Sequence, residues 1–406
     1  MTEIALGTTL IIALVLVLSM IVIGTRAILS PDRAVEITLN GHTIIPARTG
    51  MKLLSALNQE GIPVPSACAG AGTCGLCKVK LISGAGAPLP TELARLSRAD
   101  LSAGQRLACQ VVVRGPLSIA VSDDILSAES WTSTVIANRM LAPLIKELVL
   151  EIPEEVNFAF RAGAYVQMEI PPYSLAFADM ALAPRFEDVW RTLGWRNLKV
   201  HNAEPIQRAY SLASRPEDKG RIVLNIRLAV PPPGSAEEVP PGIGSSYLFG
   251  LEPNDNVTVS GPFGDFHVQD TNREMIFIGG GVGMAPLRAM IHEQLAAGSR
   301  RKMSFYYGAR SGADIFYAEE FAALAAENEN FSWTVALSEP VPDDHWDGTV
   351  GFIHEVVFNH YLKTHPAPEE CEFYLCGPPL MIQAVLAMLD ESGVEPGSIF
   401  NDDFGI

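Results

Sequence analysis

Cys68, Cys74, Cys77 and Cys109 stand with five, two and thirty-one residues between them. Thiolates in that order can hold an iron–sulfur cluster, and the spacing is the plant-type [2Fe–2S] pattern with one extra residue in its first gap. Deprotonated sulfur is the soft ligand that such a cluster requires. The residues between the first three cysteines are Ala69, Gly70, Ala71, Gly72, Thr73, Gly75 and Leu76. Most are small, so the backbone can wrap a cluster and aim N–H groups at its sulfurs. The competing chemistry is a four-cysteine zinc site. Such sites usually offer two close cysteine pairs, and this chain has one.

A second constellation is Arg208-x-Tyr210-Ser211-Leu212-Ala213-Ser214. A flat isoalloxazine ring needs an aromatic face, hydroxyl or N–H donors at its edge and a cation for its pyrophosphate. Tyr210, Ser211 and Arg208 are of those three types, although arginine and tyrosine also alternate in many ordinary strands. About thirty residues on, Gly242-Ile243-Gly244-Ser245-Ser246-Tyr247-Leu248 delivers two serines to a helix start. Backbone N–H groups there form an anion site, and the plainer alternative is a helix cap. Together the two segments read as a flavin diphosphate site.

The third is Gly279-Gly280-Gly281-Val282-Gly283-Met284-Ala285-Pro286-Leu287 after an apolar run. Gly281-x-Gly283 would let the backbone approach a pyrophosphate and open a helix beneath it, with Pro286 where the usual fingerprint has a third glycine. Its partner is Cys376-Gly377-Pro378-Pro379-Leu380-Met381. In a parallel sheet both loops face one crevice. Cys376 then lies beside a nicotinamide ring or acts as a small buried hydrophobe. Arg310 follows Tyr307-Gly308-Ala309, where an adenosine ribose would lie, and leaves the choice between NADH and NADPH open. Asp343, Asp344, His345 and Asp347 read as a solvated loop rather than a metal site, and Cys371 has no evident role.

These residues need elements to hold them. The 406 residues allow two or three folded units. With 48% apolar and 18% charged residues, large cores are expected. A net charge of −17 excludes a nucleic-acid partner that binds through a basic surface. Residues 34–47 alternate like a hairpin with Asn40-Gly41 at the turn, a helix is expected over Met51 to Glu60, and strands over Lys78–Ile82 and Cys109–Val113. Antiparallel strands are expected at Trp131–Arg139, Ile145–Leu150, Tyr165–Ile170, Arg208–Leu212, Ile222–Arg227 and Asn256–Val259. An apolar insertion runs from Pro171 to Ile206 and reads either as core filling or as a docking surface. From Glu274 onward strands alternate with helices, as in a parallel α/β sheet. The run Ile4 to Gly24 holds no charge and is long enough to span a bilayer. It is longer than a signal peptide requires. Arg26 and Arg33 behind it place the main body in the cytoplasm, where stable disulfides are disfavoured.

The order of these parts resembles the ferredoxin–NADP reductase superfamily, and within it the electron-input subunits of bacterial sodium-translocating NADH:quinone oxidoreductases. The resemblance covers the whole chain, including the anchor, the first gap of the cysteine motif, the insertion and the ending Asn401-Asp402-Asp403-Phe404-Gly405-Ile406. It implies a multidomain α+β and α/β protein. The expected parts are a transmembrane helix (1–25), a β-grasp [2Fe–2S] ferredoxin domain (34–122), an antiparallel flavin barrel (130–270) and a parallel α/β nicotinamide-binding domain (271–406).

The same resemblance implies that NADH delivers hydride to FAD and that the cluster is the next carrier. Residues expected to act in the reaction are Tyr210, Ser211, Ser245, Ser246, Cys376 and Phe404, the last covering the flavin until nicotinamide displaces it. Those expected to hold FAD or NADH are Arg208, Tyr210, Ser211, Leu212, Ser214, Gly244, Ser245, Ser246, Gly280, Gly281, Gly283, Met284, Pro286, Arg310, Cys376, Gly377 and Pro378. Partners would be membrane proteins of the same complex in the bacterial inner membrane, with quinone reached through them. One helix without ionisable residues offers sodium no path, so ion coupling is expected in those partners. Two alternatives stay open: the reductase of an aromatic-compound oxygenase, and an anchored redox sensor without turnover.

Overall fold

The computed structural model describes residues 12–20, 33–66, 68, 70–122, 125–126, 128–232, 235 and 239–402. It divides into two compact units, residues 1–64 with 70–126 and residues 65–69 with 127–406. Residues 12–20 are helical and exposed. The remainder of the expected anchor over residues 1–25 lies outside the described residues, and among those described no helix is long and apolar enough to cross a membrane.

In the first unit β1 (Ala34–Leu39) and β2 (Thr43–Arg48) form the expected hairpin. Asn40 takes φ 50° at its turn, a left-handed conformation that asparagine tolerates. With β3 (Lys78–Ser83), β4 (Gln105–Leu107) and β5 (Leu117–Ala120) they make a mixed sheet in the order β2-β1-β5-β3-β4. The helix Leu53–Gln59 buries Leu53, Leu54, Ala56 and Leu57 in the core with Ile37, Leu107 and Ile119, the arrangement of a β-grasp. Glu92, fully buried, takes both Nε and Nη2 of Arg106 and the N–H groups of Leu89 and Leu107.

Cys109–Val113 is not the strand that its alternation predicts. Val111 and Val113 do point into the core, but their backbone bonds go to Leu53 and Met51 at the helix entry rather than to a ladder. The strand that completes the sheet is β5, hydrogen-bonded in parallel to β1.

The second unit opens with β6 (Glu129–Ala142), β7 (Ile145–Glu151), β8 (Tyr165–Ile170), β9 (Tyr173–Ala176), β10 (Lys199–Asn202), β11 (Ile206–Ser211), β12 (Arg221–Arg227) and β13 (Asn256–Phe263). Six of these form an antiparallel sheet in the order β11-β8-β13-β6-β7-β12. A bridge between Leu212 and Leu224 joins its first and last strands and closes the barrel.

The Pro171–Ile206 insertion folds as the β9–β10 ribbon and short helical turns. Phe177 and Trp190 are fully buried in the barrel core, Trp190 stacks on Phe249 at 5.9 Å, and its Nε1 donates to Pro143 O at 2.7 Å. Phe177 and Trp190 therefore fill core, which is the first of the two readings.

The chain then runs through β14 (Met275–Gly280), β15 (Met303–Ala309), β16 (Phe331–Leu337), β17 (Thr349–Val350), β18 (Glu372–Cys376) and β19 (Ile399–Asp402). They form one parallel sheet in the order β17-β16-β15-β14-β18-β19. Every residue of β14 is buried. Met275 and Phe277 enter one core while Ile276 and Ile278 enter another, as two covered faces require. Sequence order reverses between β14 and β18, and at such a switch point ligands bind outside the strand ends.

Candidate functional site

In the first unit Cys77 and Cys109 are buried and Cys74 is half-buried, while Cys68 is half-buried in the 65–69 segment. The Cys77 thiol hydrogen-bonds Cys109 and draws the Cys109 thiol down to about 6. Burial opposes this shift, whereas Gln110, Lys52 and the Gly72 N–H assist it. The same pairing and burial push the Cys77 thiol up. Gln110 Nε2 lies 3.4 Å from Cys109 Sγ and donates to Gly70 O at 3.0 Å, pinning the loop to the thiol. Gly72 has φ +81°, and a Cβ there would stand 2.7 Å from Gln110 Nε2. A thiol that favours its deprotonated form, in a loop that aims N–H groups at it, fits an iron–sulfur ligand set.

The flavin motif sits on β11. Tyr210 pairs with Val166 and Arg208 with Met168 of β8, so both side chains lie on one face of the strand. The helix Ile243–Gly250 begins directly against them. A Cβ at Gly244 would stand 2.7 Å from Arg208 Cγ and 3.3 Å from the Tyr210 hydroxyl, so any larger residue there would displace the Arg208 side chain. Burial pushes the Tyr210 hydroxyl up, so the phenol stays neutral.

The two serines of the helix start differ. Ser245 Oγ donates to Gly242 O at 3.2 Å and accepts the Ala229 N–H at 3.1 Å. Ser246 Oγ is buried with no hydrogen-bond partner among the described residues. An orphaned hydroxyl one turn into a helix whose start abuts Arg208 fits a polar ligand there.

Two of the residues expected at the cofactor also have structural roles. Leu212 is fully buried in the barrel core, and Ser214 Oγ accepts the Val223 N–H at 2.9 Å. Ser211 Oγ, at the end of β11, donates to Asp402 Oδ2 at 3.1 Å, at the end of β19. The flavin strand and the parallel sheet meet there. Phe404 lies outside the described residues.

At the switch point Gly279 of β14 is opposite Cys376 of β18, so the two glycine loops leave the sheet side by side. A Cβ on Gly283 would come within 1.9 Å of Cys376 O. That glycine is required by contact between the loops, a need that spacing alone does not reveal. Gly280 and Gly377 pack on Met381, whose Sδ and Cε would meet their Cβ atoms at 2.8 and 2.5 Å. Tyr307 donates its hydroxyl to Gly281 O at 3.2 Å and steadies the first loop. Met284 and Pro286 are buried at the start of the helix Met284–Ala296, Cys376 is fully buried, and Pro378 caps the helix Pro379–Glu391. Arg310 follows β15 at the same edge, exposed, with its Nε 2.9 Å from Glu339. In the Asp343–Asp347 loop Asp344 caps the turn through the Val341 N–H, as a plain loop would.

Sequence reasoning missed the contacts that hold the barrel to the parallel sheet. Tyr317 stacks under Arg288 at 4.3 Å, donates its hydroxyl to Glu147 and accepts from Asn225 Nδ2 at 2.9 Å. Only a left-handed backbone at Tyr317 (φ 58°) marks the spot, and no local pattern announces it.

Comparison with known proteins agrees with this layout. Residues 37–114 match the 2Fe-2S iron-sulfur cluster binding domain, residues 196–268 the oxidoreductase FAD-binding domain, and residues 277–387 the oxidoreductase NAD-binding domain. The chain is 47% identical over 406 residues, 100% of each chain, to the F subunit of the Na(+)-translocating NADH-quinone reductase of Methylococcus capsulatus. To the same-named protein of Neisseria meningitidis it is 48% identical over 404 residues, 99% of this chain and 100% of the other. Among solved structures, an Amycolatopsis cytochrome P450 reductase is 25% identical with a TM-score of 0.62, over 91% of this chain and 98% of that one.

Proposed function

The chain belongs to the family of F subunits of sodium-translocating NADH–quinone reductases, and from that premise we propose that it feeds electrons from NADH to membrane proteins that reduce quinone and export sodium. It is the NADH-oxidising, electron-input component of a multi-subunit oxidoreductase, with [2Fe–2S], FAD-binding and NAD-binding domains. NADH yields two electrons as a hydride, a bound flavin accepts them together and releases them singly, and a [2Fe–2S] centre carries one.

The observation that carries this reading is the 3.1 Å hydrogen bond between Ser211 and Asp402. It joins the strand of the flavin motif to the last strand of the nucleotide sheet, so donor and acceptor sites can open into one crevice. In this reading Arg208, the helix N–H at Ser245 and the Ser246 hydroxyl hold the flavin pyrophosphate, and Tyr210 offers the ring a neutral aromatic face. Ser211 lies at the ring edge with its hydroxyl proton held by Asp402, and Phe404 covers the ring. Gly281, Gly283 and the Cys376-Gly377-Pro378 loop receive the nicotinamide nucleotide, with Arg310 toward its ribose. Cys68, Cys74, Cys77 and Cys109 ligate the cluster.

The run Ile4 to Gly24 serves as a single-pass anchor in the bacterial inner membrane, with the cofactor domains on the cytoplasmic side. Its apolar length and the arginines behind it support this placement.

NADH-dependent ferricyanide reduction by the purified chain, loaded with FAD and iron, tests the enzymatic reading. Turnover with NADH is expected. A loaded protein that binds NADH without reducing ferricyanide would be a sensor, and the proposal would fall. For the anchor, release from membranes by salt alone is the contrary result.

A further inference from the structure

Cys371 is 1% exposed and takes no part in the redox sites described above. It directly precedes β18, Glu274 directly precedes β14, and His365 follows the turn Leu362–Thr364. These three side chains therefore meet at the starting edge of the parallel sheet, opposite the edge that carries the glycine loops. One ligand atom from each lies within 4.8 Å of the other two.

Their separations have a chemical meaning. His365 Nε2 is 3.3 Å from Glu274 Oε2, and Cys371 Sγ is 3.8 Å from His365 Nε2. In a tetrahedral zinc centre, with Zn–S near 2.3 Å and Zn–N or Zn–O near 2.05 Å, neighbouring N and O ligands stand about 3.3 Å apart and S and N about 3.6 Å. The side chains thus already stand close to two edges of such a tetrahedron.

We propose that Glu274, His365 and Cys371 form a three-ligand site for a thiophilic divalent cation of the zinc class, with its fourth position open to water. The donor set fixes the class, because sulfur with imidazole selects zinc over the all-oxygen cations magnesium and calcium. A carboxylate and a thiolate also balance two positive charges. Glu274 and His365 are each partly exposed, which gives an ion a way in. Lys302 Nζ lies 2.9 Å from Glu274 Oε1 but is 58% exposed, so it can swing into solvent.

The ion replaces the Cys371 thiol proton, which leaves to water. The His365 ring proton moves from Nε2 to Nδ1, at the expense of the 3.3 Å bond that Nδ1 accepts from the Ala367 N–H. Burial and the Glu274 carboxylate hold the Cys371 thiol up at about 12 without a cation, so binding weakens as pH falls.

Zinc titration of the full-length chain, loaded with cluster and flavin, against a competing chromophoric chelator tests the site. The parent chain is expected to bind one tight equivalent, and Glu274→Gln, His365→Ala and Cys371→Ser to weaken it at least tenfold each. Cluster and flavin absorbance of each variant shows that it has folded. X-ray absorption at the zinc edge of the parent chain is independent of the variants and should give one sulfur near about 2.3 Å with nitrogen and oxygen neighbours. Equal affinity in all four proteins overturns the proposal. So does a zinc shell without sulfur, or one with several sulfurs, which would put the ion at the cluster cysteines.

Discussion

Arg288 and Glu320 are joined by two hydrogen bonds, of 2.6 Å from Nε and 2.8 Å from Nη2, and the third arm of the same guanidinium donates 2.7 Å to Ala213 O. Ala213 lies two residues beyond Ser211, so this pair ties the helix after the glycine loop to the end of the flavin strand. Arg288 is 4% exposed. Replacing it with alanine leaves Glu320 without its main partner and is expected to cost about 3 kcal/mol, the lower end for a broken buried pair. Urea unfolding followed by flavin fluorescence would measure that loss, with a lower kcat at full flavin content.

The carboxyl of Glu320 also sets a pH dependence. Burial alone would raise it, but hydrogen bonds from His292 and Arg288 outweigh burial and hold it down at about 2, against an ordinary 4.5. Its stabilisation is therefore complete above pH 4.5 and is lost as pH falls through 4.5 toward 2. The Glu320→Gln chain should show a flatter decline of stability on acidification, and acid titration of the two proteins side by side checks it.

Ser245 and Ser246 are neighbours with opposite expected phenotypes. The Ser245 hydroxyl serves the backbone, so Ser245→Ala should cost about 1 kcal/mol of stability. Ser246 has no partner among the described residues, and Ser246→Ala should leave stability within about 0.5 kcal/mol while weakening FAD binding severalfold. Thermal melting of the apoprotein and a FAD titration separate the two effects.

Gly283→Ala drives a methyl group into Cys376 O, which a Cβ would approach to 1.9 Å. The two loops must then part. A rise in KM for NADH of at least tenfold is expected, with flavin retention unchanged. Steady-state kinetics with ferricyanide gives KM, and flavin absorbance of the purified variant gives retention.

Lys146 is 2% exposed and donates to Phe249 O at 2.7 Å, capping the end of the helix Ile243–Gly250. Burial depresses its ammonium to about 8 from 10.5. Between those values the unfolded chain binds more protons than the folded one, so stability rises with pH across that window and falls as pH drops through about 8. Lys146→Met should abolish that slope. Denaturant midpoints at about pH 8 and about pH 10 would reveal it.

How much of this is legible in the sequence depends on how local the cause is. Tyr165–Ile170 can be read with both ends correct, because alternation and bounding turns are properties of the segment itself. The Cys109–Val113 alternation is equally clear and misleads, because it reports only which side chains are buried. The backbone partner there is the helix entry at Met51 and Leu53, far away in sequence. The four-residue β19 is too brief to register, and with it goes Asp402, the partner of Ser211. Serine types at 245 and 246 announce an anion site, but only coordinates can tell the hydroxyl already in use from the orphan. Cys371 is not legible as a proposed ligand because Glu274 approaches it from a distant segment, although His365 stands only six residues before it.

The bridge from Leu212 to Leu224 ties the end of the flavin strand to β12. The parallel sheet ends on one side at the two-residue β17 and on the other at the four-residue β19. Strand addition needs a longer template than these outer strands provide, so this sheet is guarded against amyloid-like stacking with copies of itself. A protein that docks against this sheet would therefore be recognised through side chains rather than by extending it.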